Sequence, residues 1–360
     1  MAIYDQNTNV NTSTLESLVA KTVDTVLTFS PSTLYFLGNQ KNWKGSLMRF
    51  PVKYARNTQG MNFQGLEKFS TTATNNFINM TFDPTGYEIN TVISQMEVDV
   101  NDTNKVIDLV ARRLASDAQD MAYDLSGQFY TLQTGKTFLS LIDGCDSGTL
   151  GATSYGGLLR ATYTGLAGNL TNVGGNITLS TLRTMFNAAT HGKDSPDLIL
   201  TTKAVWGFLE KLFTPTISHQ ITQQTLMGYP KFTGASENGT PNIVAPGTQL
   251  KGAMGFNSLM WGGVPVIADE AVPAGYLFML NTRSWGFYGL PSKHPNYKPV
   301  KFYSDTMDSV YNIPVTSGFS FSGFMDPIDQ YGRVGHIILA GNLICDNPRL
   351  QALGYGITGA

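Results

Sequence analysis

Leu47-Met48-Arg49-Phe50-Pro51-Val52-Lys53-Tyr54, together with the return through Phe77-Ile78-Asn79-Met80-Thr81-Phe82, is the stretch that decides how this sequence folds. Met48, Phe50, Val52 and Tyr54 alternate with Leu47, Arg49, Pro51 and Lys53, so the period is two: a strand with one apolar face and one mixed, partly basic face. Between the two runs lies a polar, glycine-punctuated stretch from Asn57-Thr58-Gln59-Gly60 to Gly65. Asp83-Pro84-Thr85-Gly86 closes the return with a strong turn signal. Residues 45–86 therefore read as an extended β-hairpin. Two arms of about 15 residues at about 3.3 Å each would reach about 50 Å, beyond the surface of a compact domain. A hairpin that long has little to pack on except a neighbouring molecule.

Downstream, residues 87–100 read as a further strand, and Asn101-Asp102-Thr103 supplies helix N-cap chemistry. Val106, Leu109, Val110, Leu114, Ala118, Met121, Ala122 and Leu125 then recur at helical intervals, with Arg112, Arg113, Asp117 and Asp120 mostly off that stripe. The pattern predicts a long helix over 102–126, about 35 Å at 1.5 Å per residue, stopped by Gly127. Upstream, residues 1–44 form an arm in which Leu15, Leu18, Val19 and Val23 to Leu27 suggest a short helix ended by Pro31.

From about 150 to 300 the sequence is mixed. Helices are expected at 180–189 and 203–212, a buried strand at 197–201, and further strands at 264–268 and 276–281. The last stretch, 301–344, reads as β again and ends in Val334-Gly335-His336-Ile337-Ile338-Leu339-Ala340. No internal repeat appears. Strands flanking a long helix, an α/β insertion and returning strands make an α+β fold with a discontinuous domain.

Composition narrows the function. The 360 residues carry 24 Lys and Arg against 26 Asp and Glu, 14% charged in all, where a soluble domain has about 25%. Either much of the surface is not free, or Asn, Thr, Ser and Gln solvate it. A net charge of −2 leaves no polycationic footprint for gripping nucleic acid through many phosphates. Two cysteines, Cys145 and Cys345, cannot build a disulfide framework or a Cys-based zinc site. No basic and apolar leader opens the chain, and no apolar run reaches the length of a membrane span.

The catalytic templates also fail. His191, His219, His294 and His336 are scattered, with no pair four residues apart, and Gly318-Phe319-Ser320-Phe321-Ser322-Gly323 has the wrong spacing for a nucleophile elbow. Gly135-Lys136-Thr137 resembles the end of a phosphate loop, but Tyr130 occupies the place of the required glycine. Gly354-Tyr355-Gly356-Ile357-Thr358-Gly359 fits a dinucleotide fingerprint, yet no helix follows to receive a pyrophosphate. Glu97, Asp99 and Asp102 are read as a strand end entering an N-cap, not a cation site. No catalytic, cofactor or metal residue is assigned.

Taken in order, these segments resemble the major capsid proteins of tailed bacteriophages, the Hong Kong ninety-seven fold also found in encapsulin shells and herpesvirus capsid floors. The likeness rests on the order of parts and on local strings: Asp143-Gly144; Tyr155-Gly156-Gly157-Leu158-Leu159-Arg160-Ala161; Leu198-Ile199-Leu200-Thr201-Thr202 before a helix; Phe256-Asn257 to Gly263-Val264-Pro265-Val266; and Gly275-Tyr276-Leu277-Phe278-Met279-Leu280-Asn281. It implies an N-terminal arm (1–44), an extended loop (45–86), a peripheral domain (87–150 and 301–345) holding a spine helix at 102–126, and an axial α/β domain (151–300 and 346–360).

By the same resemblance the chain forms pentamers and hexamers of an icosahedral shell, assembled in the host cytoplasm, around double-stranded DNA met non-specifically on the inner face. Its partners would be its own copies, a separate scaffolding protein, a portal and decoration proteins, with no membrane. With the hairpin starting near residue 45, no room is left for a long scaffolding segment, and no large maturation cleavage is expected. One branch of the family joins a loop lysine to a neighbour's asparagine. Lys53 and Lys68 lie on the loop, and Asn342 and Asn347 near the C-terminus, but exposed lysines are expected on such a hairpin and the crosslink is not. The candidate intersubunit contacts are Arg49, Lys53, Arg56, Phe63 and Lys68. An encapsulin-type cellular shell and, more distantly, a β-rich carbohydrate-binding protein or enzyme stay open.

Overall fold

Pro31, expected to stop a helix, opens one. In the computed structural model, which describes residues 30–102, 109–213, 259–290, 298–299, 319–327 and 330–358, helix α1 spans Pro31–Gly38. Its N-cap Ser30 accepts the Thr33 N–H, and proline suits the first turn, where its missing donor would have no partner anyway. The helix expected between Leu15 and Leu27 lies outside the described residues.

The following strands are β1 (Lys41–Asn42), β2 (Met48–Lys53), β3 (Phe77–Phe82) and β4 (Thr85–Ser94). The strand expected to run to residue 100 ends at Ser94, and helix α2 (Gln95–Asp102) takes its place. Met96, Val98 and Val100 do alternate with polar residues, but the ladder that holds β4 ends before them. Its antiparallel neighbour, β15 (Gly332–Cys345), pairs Gly332 with Ser94 as the last ladder pair, and one further bond, from the Gln95 N–H to the Tyr331 carbonyl at 3.3 Å, leads into the helix. Asn101 and Asp102, read as cap residues, are therefore inside α2.

The long helix α3 runs Leu109–Phe129 and passes through Gly127. Glycine costs a helix about 1 kcal/mol relative to alanine. Here Leu125 and Phe129 are buried on either side of it, and the Phe129 ring packs on Phe138 and Phe287 at 6.4 and 6.0 Å. Tertiary burial outweighs the local stop signal.

The remaining elements are α4 (Leu141–Cys145), β5 (Ser154–Tyr155), β6 (Leu158–Leu159), β7 (Asn169–Gly175), α5 (Leu179–Ala189), β8 (Leu198–Thr201), α6 (Lys203–Phe213), β9 (Leu259–Trp261), β10 (Val264–Ala268), β11 (Leu277–Leu280), β12 (Trp285–Gly289), β13 (Lys298–Pro299), β14 (Phe319–Phe321) and β16 (Ala352–Ile357). Among the described residues there are two six-stranded sheets beside two two-stranded ones. The first has the order β1-β12-β15-β14-β13, with β4 also on β15; the second has the order β7-β16-β11-β8-β10-β9. Strand β12 pairs with β15 from Trp285↔Cys345 to Gly289↔Gly341. The chain has thus returned to the first sheet by residue 285, ahead of the boundary expected at 300, because β15 is long enough to take β12 beside its last five residues.

The sheets share one core. On β11, Phe278 and Leu280 face it with Phe287, Ile337 and Leu339 of the first sheet. Leu277 and Met279 point the other way, against Leu182 and Met185 of α5 and Val205 and Leu209 of α6. Period-two alternation on a single strand thus serves two cores.

Candidate functional site

Strands β2 and β3 form a two-stranded sheet of their own. Its ladder runs from Met48↔Phe82 to Lys53↔Phe77. The inner row is packed: Phe50 meets Phe82 at 5.8 Å and Tyr288 at 5.5 Å, Phe82 meets Tyr155 at 5.2 Å, and Met80 is fully buried. The outer row, with Arg49, Pro51 and Lys53 on β2 and Phe77, Asn79 and Thr81 on β3, is exposed. This is the expected division into apolar and partly basic faces.

Two contacts fix the base. The Thr81 N–H donates to the Gly156 carbonyl at 2.9 Å. Gly156 has φ +57°, and a Cβ there would lie 2.7 Å from the Met80 Cβ, so only glycine lets the backbones meet. On the other side Asn342, buried, donates its amide to the Asp83 carbonyl at 3.0 Å and accepts the Leu139 N–H at 2.8 Å. Asn347 is exposed and lines a groove with Lys53, Tyr54, Tyr163 and Arg349 at the edge of the base.

Beyond the base the ladder stops. Tyr54 makes the last backbone link of the paired base, its N–H to the Asn76 carbonyl at 3.0 Å, with its hydroxyl to the Asn75 carbonyl at 2.8 Å and its ring against Tyr163 at 5.3 Å. The paired arms are thus six residues each, about 20 Å, where 15 were expected. The cause is composition: from Asn57 to Gly60 and from Ser70 to Asn76 there is no apolar alternation to hold a sheet face.

Residues 56–75 are exposed throughout. Loops beyond about 12–15 residues without structure of their own are uncommon in compact domains and are usually functional. Here Phe63 and Phe69 meet edge to face at 5.0 Å, and Ser70 Oγ donates to Gln59 Oε1 at 2.8 Å. Even so Phe63 is 61% exposed, Phe69 60% and Leu66 107%.

Arg49, Lys53, Arg56 and Lys68 are also exposed, and among the described residues none of them makes an ion pair. The structure places all five expected contact residues on one element, with Arg49 and Lys53 on its paired base and Arg56, Phe63 and Lys68 on its unpaired distal part. Leu66 and Phe69 were missed, although large apolar residues in a polar, Gly-containing loop are a readable signal. Gly156 was also missed as a site residue, because its partner at Met80 is distant in sequence.

Among the described residues, several groups that could suggest chemistry have structural partners; His219 and His294 lie outside them. His336 Nδ1 lies 2.5 Å from Glu88 Oε1 across the β4–β15 ladder, and His191 pairs its backbone with Asp194. Glu97 pairs with Arg113 at 3.3 Å, and Asp99 accepts from Gln95 and Tyr331. Burial pushes the thiols of Cys145 and Cys345 up, away from thiolate reactivity. Gly354 to Ile357 is strand β16, not a phosphate loop. Among the described residues no His, Cys, Asp and Glu group could hold a metal, and no helix is long and apolar enough to cross a membrane.

No family model matches the chain, and no curated protein matches it. Solved structures do. The chain is similar to that of the cyanophage A-1(L) capsid asymmetric unit with a TM-score of 0.68 at 14% identity, over 98% of this chain and 99% of that one. It matches the SrpI encapsulin of Synechococcus elongatus at TM-score 0.56 and 12% identity, over 100% and 98%. It matches the capsid of Myoviridae phage XM1 at 0.54 and 9%, over 99% and 99%. The fold is that of the Hong Kong ninety-seven capsid proteins.

Proposed function

We propose that this chain is the major capsid protein of a tailed bacteriophage, the repeating subunit of a closed icosahedral shell around double-stranded DNA. The observation that carries the reading is the hairpin. Twenty consecutive exposed residues bearing Phe63, Leu66 and Phe69 extend from a fold whose solved relatives include phage capsids. Seven of the fifteen large apolar residues exposed among the described residues lie on this element, between Leu47 and Phe77, and an apolar group of that kind supports an interaction site there. Arg49, Lys53, Arg56, Phe63 and Lys68 would then touch neighbouring copies within pentamers and hexamers. The arm, loop, peripheral and axial divisions accord with the same reading, with β12 joined to the peripheral sheet. A scaffolding protein, portal and decoration proteins would be its partners, and assembly would take place in the host cytoplasm.

A second reading, an encapsulin-type cellular shell, is supported by the match to the SrpI encapsulin complex. The contents decide between them. Particles of the full-length chain, recovered from their native source and treated with nuclease, should retain protected double-stranded DNA. Particles free of nucleic acid would favour the cellular compartment.

A further inference from the structure

Helix α1 starts on a buried carboxylate supplied by the second sheet. Asp269, 1% exposed, comes directly after β10, and its N–H donates to the Thr201 carbonyl at 2.9 Å. Its Oδ2 accepts from Ser30 Oγ at 2.9 Å, Ser32 Oγ at 2.6 Å, the Ser32 N–H at 3.3 Å and the Tyr130 hydroxyl at 3.3 Å. Its Oδ1 accepts the Ala271 N–H at 2.9 Å. Among the described residues no Lys or Arg pairs with it. A buried carboxylate without a cation is costly unless its lone pairs are filled, and here five donors and the positive end of α1 fill that role. Burial, then the charge of Asp269, push the Tyr130 phenol well above its ordinary value, so it remains a donor. Three distant parts of the chain meet on this one side chain: the start of α1, the residue after α3, and the end of β10.

The path of the chain beyond α1 gives the contact a consequence. Phe36 packs on Trp285 at 6.1 Å, and β1 runs parallel to β12 with Lys41 opposite Tyr288. The Trp43 N–H donates to the Gly289 carbonyl at 2.8 Å, and the hairpin begins five residues later at Met48. Tyr288 touches both sides of this path, under Lys41 Nζ at 5.3 Å and against Phe50 at 5.5 Å. The segment from Ser30 to Trp43 is therefore the N-terminal root of the hairpin, and its far end is tied down at Asp269.

We infer that Asp269 is a positioning residue for assembly, a latch that holds the strap formed by α1 and β1 and thereby sets the hairpin's N-terminal root. The assembly consequence rests on the shell reading; the latch itself does not. Asp269→Ala removes both carboxylate acceptors and leaves the buried Ser32 N–H and the part-buried Ala271 N–H without these partners. Asp269→Asn is milder. It keeps Oδ1 for Ala271, and the hydroxyls of Ser30, Ser32 and Tyr130 can turn to accept from the new amide, whereas the Ser32 N–H cannot reverse its role.

Amide hydrogen exchange on the full-length wild type, D269N and D269A, run beside particle yield by sedimentation, tests this. Exchange at residues 31–43 should quicken about tenfold or more in D269A and less in D269N, a tenfold change being about 1.4 kcal/mol of local opening. Amides of β8 and β11 should keep their wild-type protection, and particle yield should fall in the same order. Uniform acceleration along the chain, or unchanged exchange at 31–43, would overturn the latch. Local release with full particle yield would overturn its link to the hairpin. A wild type that forms no particles counts against the shell reading, and the exchange data still decide the latch.

Discussion

Gly156 shows how one residue can decide whether the projecting element is held at all. Its left-handed backbone brings the carbonyl to Thr81, and its missing side chain makes room for Met80. Alanine would meet both objections at once, about 1–2 kcal/mol for the left-handed conformation and an overlap with a Cβ that cannot rotate away. Gly156→Ala should therefore lower the unfolding free energy by about 2–4 kcal/mol, read as a shifted midpoint in urea. A midpoint within error of wild type would mean the backbone does not need this approach. The string Tyr155-Gly156-Gly157 stood out in the sequence for its likeness to capsid proteins, yet nothing in its neighbours announced that Met80, 76 positions away, was the reason for the glycine.

At the scale of elements, the hairpin separates stability from assembly. Its inner row belongs to the core; its distal residues 56–75 touch little of their own chain. Replacing Phe63, Leu66 and Phe69 together by serine should leave the urea midpoint within about 0.5 kcal/mol, as for surface positions without special contacts. Loss of particles should nonetheless result, because the apolar area that would be buried on association is gone. Intact particles from this triple variant, counted in electron micrographs, would remove the hairpin tip from the assembly interface.

How far these elements could be read from sequence depends on where their determinants sit. β2 and β3 were legible because Met48, Phe50 and Val52 alternate locally, and α5 and α6 because their apolar stripes are local too. The end of β4 was not, since the last ladder partner of Ser94 is Gly332, distant in sequence. Nor was the run of α3 through Gly127, which depends on Phe138 and Phe287 receiving Phe129. The length of the paired arms was overread for the reverse reason: reach was inferred from spacing, where pairing needs apolar alternation that residues 57–60 and 70–76 do not have.

For the whole molecule, low charge acquires a physical reading. At 14% charged residues, against about 25% in ordinary domains, the chain has little with which to repel its own copies. The cations it exposes on the hairpin make no ion pair among the described residues, and seven of the fifteen exposed large apolar residues among them lie on the same element, between Leu47 and Phe77. On the proposed capsid reading, a near-neutral surface would also suit an inner wall that does not grip DNA through many phosphate contacts. The central claim is that this surface is completed by other copies of the same chain. Sedimentation velocity on the purified full-length protein tests it most directly: the account predicts a discrete megadalton species, and a stable species of tens of kilodaltons under assembly conditions would contradict it.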